Sequence, residues 1–87
     1  MAESNLLFDA HGVKIIERNG AFLIRYDAGS HQVEIREDGI TSLDVVAIQR
    51  NGNDAVDAVL RRLQGDMLKQ GLNPFISNLS SDQRRTT

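Results

Sequence analysis

The chain has 87 residues, 12 acidic against 10 basic, a formal net charge of −2, 40% hydrophobic residues and no cysteine. Such a length makes one small domain with a thin core, too small to hold a deep cleft easily. The lack of cysteine excludes disulfides, thiolate metal sites and cysteine nucleophiles, and the slight acidic excess argues against charge-driven binding to nucleic acid or an anionic membrane.

Met1–Asn5 carries no basic residue, and Leu6-Leu7-Phe8 is too short for a signal-peptide core. A cytoplasmic protein is therefore expected, with residues 1–5 disordered and an ordered core over about 6–79. Next come closely spaced turn signals: Asn19-Gly20, Asp27-Ala28-Gly29-Ser30, Asp38-Gly39 and Asn51-Gly52. Asn-Gly and Asp-Gly supply the positive φ that tight hairpin turns require. Between them lie segments rich in β-branched and aromatic residues, read as strands over Val13–Arg18, Ala21–Tyr26, His31–Glu37 and about Leu43–Gln49. They predict an antiparallel β-meander of three to four strands.

A two-residue Asn19-Gly20 loop pairs Arg18 with Ala21, Ile16 with Leu23, Ile15 with Ile24 and Val13 with Tyr26. Matching apolar faces across the next turn favours a four-residue loop, Asp27–Ser30. It pairs Tyr26 with His31, Ile24 with Val33 and Phe22 with Ile35, since a one-residue slip exchanges faces. One face then carries Val13, Ile15, Phe22, Ile24, Tyr26, Val33 and Ile35. The other carries Lys14, Arg25, Gln32, Glu34 and Arg36 around the apolar pair Ile16 and Leu23.

After Asn51-Gly52 the apolar period changes from 2 to 3.6. Val56, Val59, Leu60, Leu63, Met67 and Leu68 form one stripe of a helix over about 54–70, with Asn53 as its N-cap and Gly71 just past its end. Packing that helix on one sheet face gives an α+β domain. Residues 80–87 are polar and expected to be disordered.

One helix covers one face, which leaves Ile16 and Leu23 to be covered otherwise. The run Val45-Val46-Ala47-Ile48 also reads as a strand buried on both faces. The cover is the chain itself through Leu6–Phe8 or Phe75–Leu79, a second copy, or a different protein.

No catalytic, cofactor or metal motif emerges. His11 and His31 fall near turn aspartates at one end of the sheet, in a spacing that matches no metal site, and no nucleophile elbow or phosphate loop occurs. The sequence therefore points to a non-enzymatic protein–protein interaction module without a cofactor, of the antitoxin, immunity-protein, inhibitor or adaptor type. Its interface with a partner or a second copy is expected on the outer sheet face: Ile16, Leu23, Arg25, Glu34 and Arg36. The alternative is a dimeric nucleic-acid-binding regulator that uses Arg61, Arg62, Arg84 and Arg85 on phosphates.

Overall fold

In the computed structural model, which describes residues 4–29 and 31–79, four strands precede two helices. They are β1 (Ser4–Ala10), β2 (Val13–Arg18), β3 (Ala21–Asp27), β4 (Ile35–Ile40), α1 (Ser42–Asn51) and α2 (Asn53–Lys69). The sheet is an antiparallel meander in the order β1-β2-β3-β4. The α+β class and the meander agree with the sequence reading. No helix among the described residues is long and apolar enough to cross a membrane.

The first two turns are tight because their residues accept positive φ: His11 and Gly12 at 54° and 79°, Asn19 and Gly20 at 55° and 81°. The β2–β3 register is the expected one, with Arg18 opposite Ala21, Ile16 opposite Leu23 and Ile15 opposite Ile24. Ser4 and Asn5, expected to be disordered, extend β1. A bulge at Leu7 keeps Leu6 opposite Ile16 on the outer face, while both Leu7 and Phe8 pack against the core.

Two expectations are corrected. The first is the register of the third hairpin. The β3–β4 loop spans 28–34, so Tyr26 faces Arg36 and Ile24 faces Asp38 instead of His31 and Val33. An Asx turn holds this longer loop: Asp27 Oδ1 accepts from the amides of Gly29 and Glu34, each at 2.9 Å. The slip is five residues, an odd number, so every side chain of the strand changes face. Asp38 and Gly39, read as a turn, lie within β4.

The second correction is the strand expected over 43–49, which is helix α1. Thr41 caps it: its Oγ1 accepts from the Asp44 amide at 3.1 Å, and Asp44 Oδ2 accepts from the Thr41 amide at 3.0 Å. This reciprocal capping box outweighs the weak strand preference of the β-branched run. Only Val45 and Ile48 of that run are buried, at helical spacing. There are thus two helices where one was expected, separated by Gly52 at φ 61°. Gly52 also stands at the N-cap of α2, where Asn53 was expected, without a side-chain cap. At the other end Gly71 follows the C-cap as anticipated: its amide donates to Leu68 O, and the Leu72 amide donates to Met67 O.

Both helices lie on the inner sheet face. The core is Ile15, Ile24, Tyr26, Val45, Ile48, Val56 and Val59, flanked by Leu7, Phe8, Phe22, Ile40, Leu60 and Leu63. Leu68, expected in the helix stripe, is exposed.

Candidate functional site

The observed register sets the membership of the outer face. Residues opposite one another share a face, so Leu6, Lys14, Ile16, Arg18, Leu23, Arg25, Glu37 and Gly39 lie together. Leu6, Ile16 and Leu23 form a cross-strand apolar row from the sheet edge to its middle. Ile16 is 9% exposed and Leu6 57%, so the row opens toward the β1 edge.

Over the inner end of this row stands an ion triad. Arg25 donates to Glu37 Oε2 at 2.8 Å, and Arg18 donates to Glu37 Oε1 at 3.0 Å. Arg18 lies opposite Ala21 and Glu37 opposite Arg25, so Arg18 must reach diagonally past Leu23. Two guanidiniums share one carboxylate, which leaves one net positive charge beside the apolar row.

Of the five residues expected on this face, Ile16, Leu23 and Arg25 are brought together there. Glu34 is not: it ends the β3–β4 loop, where its Oε1 accepts from the Ser77 amide at 2.9 Å and its Oε2 from Gln32 at 3.0 Å. Arg36 is turned inward and 8% exposed. Its guanidinium binds Asp38 in bidentate fashion at 2.9 and 3.0 Å, donates to Ile76 O at 2.7 Å and touches Met67 Sδ at 3.1 Å. The Tyr26 hydroxyl completes the cluster by donating to Asp38 at 2.6 Å. Burial, with the hydrogen bond to Asp38, pushes the Tyr26 hydroxyl pKa well above its usual value, and the Asp38 hydrogen bonds hold Arg36 more firmly protonated. Among the described residues no buried side-chain nitrogen or oxygen lacks a partner.

Sequence reasoning missed Arg18 and Glu37. Arg18 was findable, because the correctly derived β2–β3 register already placed it on the outer face. Glu37 was hidden by the five-residue slip.

The cations of the nucleic-acid alternative are divided. Arg61 is exposed on α2. Arg62 is engaged: it binds Asp44 with two bonds of 2.6 and 2.7 Å, joining α2 to the start of α1. The Arg62 hydrogen bonds hold the Asp44 carboxyl down at about 2. Arg84 and Arg85 lie outside the described residues.

His11 sits in the β1–β2 turn and His31 in the β3–β4 loop, both exposed. No group of three His, Asp or Glu among the described residues stands close enough to hold a metal ion. A surface pocket of about 590 Å³ lies between Ala28, Gly29, His31, Gln32 and Glu34 on one side and Phe75 and Ile76 on the other. Comparison with protein-family models, curated proteins and solved structures gives no match to this chain.

Proposed function

We propose that this chain is a non-enzymatic interaction module that binds another protein, or a second copy of itself, through the outer face of its sheet. The observation that carries this reading is the one-sided packing. Both helices cover the inner face, while the outer face keeps the Leu6–Ile16–Leu23 row beside an arginine-rich triad. Of the row Leu6 is exposed, Leu23 partly so and Ile16 buried between them, and apolar surface bordered by charge is a common anatomy of an interaction site. The complementary partner presents an apolar side chain next to a carboxylate.

The test is a pull-down with full-length wild type and Leu23→Asp, with solution mass measured by light scattering. We expect Leu23→Asp to keep the fold and to lose the captured partner or the dimer. A folded Leu23→Asp that retains both would refute the outer-face interface. The nucleic-acid reading rests on Arg61 and the C-terminal arginines. It predicts binding to duplex DNA that falls steeply with salt, and is rejected if no gel shift appears at low salt.

A further inference from the structure

The two edges of the sheet are finished differently. In an antiparallel ladder, alternate residues of an edge strand point both their N–H and C=O away from the neighbouring strand. On β4 these outward residues are Ile35 and Glu37, as their partners outside the sheet show, and by alternation Gly39. The Ser77 hydroxyl donates to Ile35 O. The Glu37 amide donates to Asn78 Oδ1 at 2.9 Å, and Asn78 Nδ2 donates to Glu37 O at 2.6 Å. A strap, Pro74–Leu79, thus occupies three of the groups that a fifth strand would use, Ile35 O and the N–H and C=O of Glu37, and does so with side chains in place of a backbone ladder.

The strap is weakly fastened by apolar burial. Pro74 is fully buried, but Phe75 and Ile76 are 51% and 52% exposed, and the connection Gln70–Asn73 is exposed throughout. Leu72–Leu79 contains no charged residue. The edge it covers carries Glu34, whose carboxylate has no cation within ion-pair distance among the described residues; the neighbouring Glu37 and Asp38 are paired with arginines. Charge complementarity at Glu34 is therefore left unused by the strap.

We infer that the strap is a releasable guard, and that the β4 edge beneath it accepts an extended segment of a partner protein bearing a basic residue opposite Glu34. Such a segment makes the same bonds to Ile35 and Glu37 through its backbone, continues to Gly39, and adds an ion pair that the strap lacks. This proposal stands apart from the outer-face reading, because it uses the backbone groups of the β4 edge and the Glu34 carboxylate, whereas the outer-face reading uses side chains; Glu37 belongs to both, through its backbone here and its carboxylate there.

Amide hydrogen exchange on the full wild-type chain tests the guard. The Glu37 amide should exchange by a local opening that barely responds to denaturant, at least roughly tenfold faster than the amides of the central strand β3. Exchange of Glu37 only through global unfolding would overturn the proposal. The binding arm uses full-length Ser77→Ala/Asn78→Ala and two synthetic octapeptides: residues 72–79, and the same peptide carrying Phe75→Lys. Phe75 and Glu34 line one pocket, so the lysine peptide should shift the Glu34 and Glu37 amide resonances and bind several-fold tighter than the neutral one at low salt. Equal or absent binding of both peptides to the folded variant would refute the acidic-edge specificity. Should that variant not fold, the same titration on wild type decides, with the lysine peptide expected to accelerate loss of the strap bonds and no effect counting against it.

Discussion

Two arginine–carboxylate clusters lie on opposite faces of the same sheet, one closed off and the other open to solvent. Inside, Arg36 and Asp38 meet one to one, with Tyr26 and Ile76 O completing the set, under α2 and the strap. Outside, Arg18 and Arg25 share Glu37, with side-chain exposures of 36%, 23% and 12%. The inner cluster is saturated and neutral. The outer one keeps an excess cation and reaches solvent, so a partner's carboxylate can join it without a large desolvation cost.

Breaking the inner cluster should give the largest effect. Asp38→Ala leaves a buried guanidinium without its counter-ion, which typically costs about 3–5 kcal/mol. In a domain of this size urea denaturation should show a much lower midpoint or outright unfolding. A loss below about 1 kcal/mol would mean that Arg36 escapes to solvent.

Asp44 offers an intermediate case, half cap and half ion pair. Asp44→Asn should cost about 1–2 kcal/mol at pH 7 through a weakened capping box and the loss of the counter-ion of Arg62. The folded carboxyl titrates at about 2 against an ordinary 3.8, a depressed value. Its stabilisation is therefore complete above about pH 4 and is lost as pH falls toward 2. Denaturation curves of wild type and Asp44→Asn should converge over that window, and a constant gap down to pH 2 would contradict the assignment.

The smallest effect belongs outside. Glu37→Gln should change stability by less than about 1 kcal/mol, as partly exposed ion pairs contribute little. It should nonetheless strengthen capture of an acidic partner by releasing two guanidiniums, a result read from the off-rate. Destabilisation as large as that of Asp38→Ala would erase the distinction between the two faces.

Much of this layout was legible in the residues. Asn19-Gly20 set the β2–β3 register, and the 3.6-residue apolar period from Val56 to Met67 set α2, because both signals are local. The third hairpin was not legible. Apolar matching placed Val33 and Ile35 inside, whereas the chain closes a longer loop on Asp27 and buries Arg36 and Asp38 against each other. Arg36 and Asp38 stand at alternate positions of one strand, a pattern that reads as a solvated face when apolar residues alone mark the inside. Helix α1 was hidden for a different reason: its run Val45 to Ile48 is strand-like in composition, and the only local signal for a helix is the Thr41–Asp44 cap just before it. Of the outer face, the half built on β2 and β3 was visible, and the half built on β4 followed the register into error.

Beyond Asp38, two residues away on the same strand, the partners of Arg36 lie far along the chain, Met67 and Ile76 being 31 and 40 residues distant. A guanidinium with such partners gains its full set only when β4, α2 and the strap have all arrived. The cluster therefore closes late, after the local β2–β3 hairpin and the α2 turns can form. Substitutions there should act chiefly by accelerating unfolding while leaving the folding rate nearly unchanged. On that expectation the buried arginine is a kinetic lock, one that lengthens the lifetime of the folded state more than it hastens its formation, and unfolding rates of Asp38→Ala against wild type would show it.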